Sequence, residues 1–357
     1  MTLDKEKLVN VKQYAGYAFS IILSAAFLYL AFHNIELSKS LELVSNASIF
    51  WMFIFILVFI AAPVVRAYRW KYMINSIKPN ASVFNLFGAI MIGYGINCVI
   101  PRLGEIYRAL FLGRWEKLSR TSMFGTVIVE RVLDVLALWF SVLISVTIYT
   151  GDLYKDIPWL ESAIMLGFAA LFIVIAFIVL LVWQKEKFYR ITLKIVSKIS
   201  HRAADKLSYI FNMLIDGFAS IKGFKNYSFT ILLTIIVMLV YGLNSYVGFF
   251  MLHMNDIQSV SFGMAWIVMT IAAFGIVIPT PGGTGSYHFI VISVLTQLFF
   301  FNEEIASAYA ILTHFISYFV FILSTVFFIY FINNRHVSEG NKKETLFSVL
   351  RFNPDEK

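Results

Sequence analysis

Cysteine and charged residues are both scarce in this chain of 357 residues. The single cysteine, Cys98, excludes a disulfide within the chain and makes a cysteine-based metal site implausible. Asp, Glu, Lys and Arg together make up 14% of the residues, whereas soluble domains contain about 25%. Hydrophobic residues make up 59% and the mean hydropathy is +0.78, so the composition indicates an integral membrane protein.

The chain also lacks the sequence patterns of ATP use and of catalysis. No glycine-rich loop ends in Gly-Lys-Ser or Gly-Lys-Thr, which excludes a Walker-type nucleotide site. No nucleophile with a base, and no pair of carboxylates, stands in a context that supports catalysis. The sequence therefore predicts neither an enzyme nor a bound cofactor or metal ion.

What the chain has instead is a series of long apolar segments. They fall at 14–32, 49–65, 83–100, 123–149, 159–183, 229–252, 261–278, 286–300 and 306–331. The first is too long for a signal peptide and has no small-residue cleavage site, so we expect it to remain as a helix. The segments predict an all-α polytopic membrane protein with one domain over 1–331 and a polar cytoplasmic tail at 332–357.

The basic residues indicate how these segments are inserted. If 83–100 crossed the bilayer, the nine basic residues of 184–228 would face outward, against the positive-inside rule. If 83–100 enters and returns to the same side, 26 of the 29 basic residues lie in the cytoplasm. We therefore predict a re-entrant hairpin there, multi-pass insertion in the bacterial inner (plasma) membrane, and two cytoplasmic termini.

A second interrupted region lies at residues 279–285, where the sequence is Pro-Thr-Pro-Gly-Gly-Thr-Gly. The following segment, 286–300, would be about 22 Å long as a helix, shorter than a hydrocarbon core of about 30 Å. This predicts a hairpin that enters from the outer face. Two short, tilted spans are the alternative, because they would leave the next segment on the same side of the membrane. The halves 14–149 and 159–331 then form an inverted repeat, with six spanning helices and two opposed re-entrant hairpins, eight transmembrane elements in all.

The end of the predicted first hairpin is interrupted by Gly93, Gly95, Asn97 and Pro101. The charged residues that follow are candidates for substrate binding. Arg102, Glu105 and Arg108 follow Pro101 at spacing i, i+3, i+6, and Asn97 precedes them. A helix that begins at the proline would place the three charges on a broad common face. Because a guanidinium can bind phosphate with two parallel hydrogen bonds, one interpretation is a phosphate site in which Arg102 and Arg108 hold the ligand. The other is an ionic network that anchors a loop at the membrane interface.

Two more charged groups lie in or beside neighbouring segments. Arg66 and Arg69 end the second segment, where snorkelling to the interface explains them as well as ligand contact does. The third group, inside 123–149, consists of Glu130, Arg131 and Asp134.

In this third group Arg131 can reach Asp134 at i+3, and the cluster can meet Arg102 or Arg108 from the hairpin. We interpret it as a structural ion-pair cluster, with direct handling of substrate or protons as the alternative.

The glycine-rich loop is the second candidate region for substrate contact, because glycine lets a ligand approach the backbone closely. The candidate loop residues are Pro279, Pro281, Gly282, Gly283 and Gly285. His288 and His314 lie on the next two apolar segments. Two histidines alone are a weak metal signal, so pore-lining or hydrogen-bonded packing roles are favoured.

Residues 184–228 carry basic side chains at four-residue spacing with isoleucines alongside. This pattern predicts an amphipathic helix on the anionic cytoplasmic leaflet. No aromatic stacking platform accompanies the charge, so nucleic acid is not a predicted partner. The expected partner is membrane phospholipid, and a homo-oligomer is compatible with the sequence.

Four ordered motifs resemble those of the flippase-like, lysylphosphatidylglycerol synthase transmembrane-region family. They are Arg-Ala-Tyr-Arg-Trp at 66–70, Asn-Cys-Val-Ile-Pro-Arg-Leu-Gly-Glu-Ile-Tyr-Arg at 97–108, Val-Glu-Arg-Val-Leu-Asp at 129–134, and the loop at 279–285. The resemblance covers about residues 14–331. It implies an inner-membrane domain that moves phospholipids or lipid-linked species between leaflets.

The chain departs from that family in two respects. In many members an acidic residue follows the Pro-Gly-Gly loop and the last helix carries an arginine, whereas the nearby residues here are His288 and His314, so no headgroup preference carries over. No soluble aminoacyl-transfer domain follows residue 331, so we do not expect synthesis of lysyl-lipid.

The predicted function is translocation of an anionic phospholipid or lipid-linked amphiphile. The alternatives are a membrane enzyme that acts on lipid-linked substrates and a secondary transporter of small solutes.

Overall fold

The computed structural model describes residues 2–151 and 221–338, isolated residues between 161 and 217, and residues 343–346 and 348–349. Over these residues the regular structure is helical. The helices are α1 (Thr2–Phe32), α2 (Leu37–Ser45), α3 (Ile49–Ile74), α4 (Val83–Val99), α5 (Gly104–Glu116), α6 (Arg120–Ile148), α7 (Phe224–Met251), α8 (Met254–Ile257), α9 (Phe262–Val277), α10 (Ser286–Gln297) and α11 (Glu303–Ser338), with a 3₁₀ turn at Pro281–Gly283. Four of them, α1, α3, α7 and α11, are long and apolar enough to cross a membrane.

Serine side chains fix where four of these helices begin. Ser48, Ser82, Ser119 and Ser261 precede α3, α4, α6 and α9, and each hydroxyl accepts a hydrogen bond from the backbone N–H of the third helical residue. These bonds satisfy N–H groups that have no partner inside the helix. Serine is therefore the local signal that separates apolar segments whose composition alone would not define a boundary.

Helices α3 and α7 form a long antiparallel pair. At one end the backbone N–H of Ser48 donates to the carbonyl of Met251 over 2.8 Å. At the other end Nδ2 of Asn75 donates to Oδ1 of Asn226 over 3.3 Å. We call these the Ser48 end and the Asn75 end of the molecule, and they orient the remaining helices.

Helices α4 and α5 form a hairpin whose base lies at the Asn75 end. Oε1 of Glu116 accepts from Asn85 over 2.6 Å near the base, and the N–H of Gly104 donates to Oδ1 of Asn97 over 2.7 Å near the tip. A Cβ atom on Gly104 would collide with the carbonyl of Gly93. Small residues therefore let the two helices pack closely in an antiparallel register.

This hairpin corrects two details of the sequence prediction. The return leg is α5, so the reversal occurs after residue 99 and not inside 83–100. Gly93 and Gly95 do not interrupt α4, because they lie at helix contacts where a larger residue would clash: Gly93 against α5, and Gly95 against Thr325 of α11. The break comes at Pro101, which has no N–H to continue the helix.

Helices α9 and α10 form a second hairpin with its base at the Ser48 end. Nε2 of Gln258 donates to the carbonyl of Phe299 over 2.8 Å near the base. At the tip, the Ser286 hydroxyl donates to the carbonyl of Gly275 over 2.7 Å. The connecting loop turns through positive φ angles at Gly282, Gly283 and Gly285, a conformation that glycine adopts without strain.

The tips of the two hairpins meet inside the helix bundle. Nη2 of Arg102 donates to the carbonyl of Val277, the last residue of α9, over 2.7 Å. The hydroxyl of Tyr318 on α11 lies 2.9 Å from the carbonyl of Cys98 and 2.7 Å from that of Pro281. The two hairpins therefore point toward each other from opposite ends of the molecule.

Two predicted apolar segments are shorter than the helices that contain them. The second segment continues as α3 to Ile74, so Arg66 and Arg69 lie inside a helix. The last one continues as α11 to Ser338, so the predicted tail at 332–357 begins as helix. Most of 159–183 and 184–223 lies outside the described residues, so the amphipathic helix and the inverted repeat stay predictions.

Candidate functional site

Glu130 of α6 is the centre of a buried cluster of charges. Its side chain is fully buried, and its Oε1 accepts from Nη2 of Arg66 and, over 2.8 Å, from Nη2 of Arg69. Nη1 of Arg108 lies 2.9 Å from Oε2 of the same carboxylate. Helices α3, α5 and α6 thus contribute to one ionic contact, which joins the α4–α5 hairpin to the rest of the bundle.

Asp134 lies one helical turn beyond Glu130 and binds an overlapping set of arginines. Its two oxygens accept from Arg66 over 2.8 Å and from Arg69 over 2.6 Å. Arg131 contributes a third contact of 3.0 Å at the i, i+3 spacing that the sequence allowed. Two carboxylates on one face of α6 therefore hold both arginines of α3.

Helix α7 supplies neutral acceptors for the Nη1 atoms of Arg66 and Arg69. Nη1 of Arg66 donates to the Tyr241 hydroxyl over 3.2 Å, and Nη1 of Arg69 donates to the Thr234 hydroxyl over 3.1 Å. Arg66 and Arg69 are 3% and 0% exposed, which rules out interfacial snorkelling as their explanation. A buried guanidinium is tolerated only when such bonds offset the loss of water.

Arg108 is buried to the same degree but is much less completely bonded. Its guanidinium lies over the ring of Trp70 at 5.3 Å and pairs with Glu130 through Nη1 alone. Nε and Nη2 have no hydrogen-bond partner within the described part of the chain. These two nitrogens form the side-on edge of the guanidinium, the edge that binds two oxygens of a phosphate or carboxylate at once.

The cluster carries excess positive charge and reaches the protein surface. We use the name arginine cluster for Arg66, Arg69, Arg108, Arg131, Glu105, Glu130 and Asp134. Among the residues that the structure describes, this cluster contains four arginines and three carboxylates, an excess of one positive charge. The Arg131 and Glu105 side chains are 38% and 30% exposed, so the cluster opens between α5 and α6.

Arg102 is not part of this cluster, contrary to the predicted common face with Glu105 and Arg108. It precedes α5 in a left-handed conformation with φ 65°, and its side chain turns to Val277. The helix begins at Gly104 and not at the proline, so the i, i+3, i+6 spacing does not apply. Arg102 joins the two hairpin tips.

The remaining tip residues form a second polar region, which we call the tip site. It consists of Tyr318, His288, His314 and the loop 278–285 against residues 98–102. His288 accepts from the N–H of Gly285 through Nδ1 over 3.3 Å, and Nε2 of His314 lies 3.2 Å from the carbonyl of Gly282. The two imidazole rings are 4.5 Å apart. Both histidines therefore hold the backbone of the glycine-rich loop.

Further contacts tie the same loop to α1 and α11. The Ser24 hydroxyl donates to the carbonyl of Thr284 over 2.9 Å, and the Thr284 hydroxyl lies 2.9 Å from that of Tyr318. Pro279 also belongs to this loop, and the carbonyl of Gly283 accepts from the Ser286 hydroxyl over 3.3 Å. Among the described residues no group of three or more His, Cys, Asp or Glu side chains could hold a metal ion.

The sequence did not single out several residues that the structure places in these sites. Tyr241 and Thr234 bond the arginines, and Tyr318 joins the two tips. A hydroxyl inside a long apolar segment is the signal that could have found them, because such groups require a partner when they are buried.

Long apolar helices packed around a buried ionic cluster define a polytopic membrane protein with an internal polar site. The chain belongs to the lysylphosphatidylglycerol synthase TM region family, whose model matches residues 17–324. This match confirms the family predicted from the four sequence motifs.

Two curated relatives are UPF0104 membrane proteins. The one from Methanocaldococcus jannaschii is 27% identical over 215 residues, covering 58% of this chain and 62% of that protein. The one from Methanothermobacter thermautotrophicus is 32% identical over 113 residues, covering 30% and 32%. The matched part thus spans less than two thirds of either relative. No solved structure matches the chain.

Proposed function

We propose that this protein moves an amphipathic lipid with an anionic headgroup between the two leaflets of a membrane. The observation that carries the proposal is the side-on edge of Arg108, which is buried and unbonded within the described residues beside an excess of positive charge. A phosphate group would satisfy both nitrogens and offset that charge. The acyl chains would remain in the bilayer while the headgroup passes through the arginine cluster.

The membrane arrangement belongs to the same proposal. Helix α4 has 17 residues and α10 has 12, so they extend about 25 Å and about 18 Å, less than a hydrocarbon core of about 30 Å. We propose that the two hairpins are re-entrant, enter from opposite faces and belong to an inverted repeat with cytoplasmic termini. The contact between their tips would then close the path between leaflets.

A liposome assay with fluorescent phospholipids tests this function. Protein in vesicles should let an external quencher reach nearly all labelled lipid, whereas in protein-free vesicles it reaches only the outer half. Arg108→Lys keeps the charge but removes the side-on edge, so we expect transport of a phosphate-bearing lipid at least tenfold slower than in the wild type. Arg114→Lys is the matched control, because it makes the same change on the same helix outside the cluster.

Three results would contradict the proposal. If vesicles with wild-type protein behave like empty ones, the protein does not translocate the labelled lipid. If folded Arg108→Lys protein is as fast as the control, the guanidinium edge has no role in transport. Chemical conversion of the labelled lipid, or uptake of small anions without lipid movement, would favour the enzyme or the solute transporter.

A further inference from the structure

A cavity separate from the arginine cluster lies at the Asn75 end of the α3–α7 pair. It has a volume of about 250 Å³ and is lined by Tyr68, Lys71, Tyr72, Asn75, Lys225 and Asn226. Tyr68, Lys71 and Tyr72 of α3 and Asn75, which caps its C-terminal end, follow the spacing i, i+3, i+4, i+7 and therefore share one face. The two residues of α7 come from its first turn. We call this space the lysine cavity.

The lysine cavity is lined by two lysines and by no acidic residue of the described part of the chain. Neither Lys71 nor Lys225 has a carboxylate within 4.0 Å among the residues that the structure describes. Elsewhere at the same end, Lys78 lies 3.1 Å from Glu116, so a lysine there can be neutralised by the protein. Two ammonium groups around one cavity attract an anion when no described carboxylate lies within that distance.

The walls of the cavity are held in place by neutral contacts. The Tyr72 ring stacks on Phe229 with centroids 4.6 Å apart. Asn226 is 8% exposed, and both ends of its side-chain amide are bonded. Its Oδ1 accepts from Asn75 over 3.3 Å, and its Nδ2 donates to the carbonyl of Lys222 over 2.7 Å. These contacts hold Tyr72, Asn75 and Asn226 in place on the helix pair.

An apolar stripe begins beside this cavity and runs along α7. Its residues recur every four positions and are 42–58% exposed: Tyr227, Ile231, Ile235, Leu239 and Leu243. The stripe extends over about 24 Å, which exceeds the thickness of one hydrocarbon leaflet, about 15 Å. A surface of this kind in a membrane protein faces acyl chains.

We propose that the lysine cavity binds the phosphate headgroup of an anionic phospholipid whose acyl chain lies along the α7 stripe. The charge of the cavity selects an anion, and the adjoining stripe selects a lipid over a soluble phosphate. The site is distinct from the arginine cluster and does not depend on the proposed translocation. Its occupant is drawn from the leaflet at the Asn75 end.

Native mass spectrometry of the detergent-solubilised protein tests the site. The probes are phosphatidylglycerol and phosphatidylcholine with identical chains, offered together at equal concentration. We expect the wild type to retain phosphatidylglycerol preferentially, and Lys71→Ala/Lys225→Ala to lose at least fivefold of that preference. Lys71→Arg/Lys225→Arg should keep it. The control, Lys39→Ala/Lys343→Ala, removes the same charge from exposed positions outside the cavity and should behave like the wild type.

Three outcomes would overturn the site. One is an unchanged preference in the Lys71→Ala/Lys225→Ala protein, with a native circular dichroism spectrum. Another is an equal loss in the control, which would mean that net charge alone attracts the lipid. The third is displacement of the lipid by glycerol 3-phosphate at the same concentration, which would make the ligand a soluble anion.

Discussion

The arginine cluster and the tip site solve the same physical problem in different ways. Both place polar groups inside a bundle of apolar helices, where an unbonded group is costly. The cluster uses opposite charges, with Glu130 in contact with three arginines from α3 and α5. The tip site uses neutral hydroxyl, imidazole and backbone groups, such as Tyr318 against two carbonyls.

The difference predicts how each region responds to a single substitution. Removing a fully buried member of the cluster leaves buried charges without a counter-charge, and that loss exceeds the value of any one bond. Removing one member of the tip site leaves a neutral group that can turn to another partner or to water. The cluster should therefore determine whether the helices assemble, and the tip site should determine how firmly the two hairpins are joined.

The largest effect is expected from Glu130→Gln. The glutamine keeps the shape but removes the charge that Arg66, Arg69 and Arg108 share, so we expect a loss of about 3–5 kcal/mol in the free energy of unfolding. Denaturant unfolding in detergent micelles, followed by tryptophan fluorescence, measures it. The control is Glu105→Gln, a half-buried carboxylate of the same cluster, which should cost less than 1 kcal/mol. Similar losses in both variants would contradict the central role of Glu130.

Some of the charged contacts could be predicted from the sequence, but the burial of the charged side chains could not. The i, i+3 spacing allowed the Arg131–Asp134 pair, and the need to neutralise buried charge allowed Arg108 to meet Glu130. Arg66 and Arg69 were ambiguous, because snorkelling and ligand contact explained them equally well and burial with acidic partners was not predicted. Only packing against α6 and α7 decides between these outcomes.

The tip contacts could not be predicted in the same way. Tyr318 and His314 bond backbone carbonyls, and every residue carries a carbonyl, so no pairing of residue types marks the partner. The loop at 279–285 was recognisable because its glycines and prolines exclude a long helix. Gly93 and Gly95 serve close helix packing and do not break α4. This could not be predicted, because the helix packed against Gly93, α5, lies beyond a turn, and the helix packed against Gly95, α11, lies far along the chain.

An intermediate effect is expected when the backbone of the tip site is changed by Gly285→Ala. Gly285 has φ 88°, and a Cβ atom there would lie 2.5 Å from the carbonyl oxygen of Ser24. The strain and the collision together should cost about 2–3 kcal/mol of unfolding free energy. Gly16→Ala is the control, because Gly16 is helical and has nothing within 4 Å. If Gly285→Ala were as stable as Gly16→Ala, the described loop conformation would be wrong.

The smallest effect on stability, about 1 kcal/mol, is expected from Tyr318→Phe, which removes the hydroxyl between the two tips. The same change should have a much larger effect on the access of a small reagent to Cys98. Cys98, the single cysteine of the chain, is 6% exposed, and its carbonyl accepts from that hydroxyl over 2.9 Å. Without the bond we expect a small maleimide to label Cys98 at least threefold faster in vesicles.

Tyr309→Phe separates the tip contact from a general loosening of α11. Tyr309 lies on the same helix, and its hydroxyl bonds the carbonyl of Ser245 over 2.9 Å, away from the tips. It should cost a similar free energy while leaving the labelling rate of Cys98 unchanged. Equal labelling rates in the two variants would mean that Tyr318 contributes only stability. A faster rate in Tyr318→Phe alone would mean that a neutral hydrogen bond controls the hairpin junction, while the arginine cluster holds the helices that carry it.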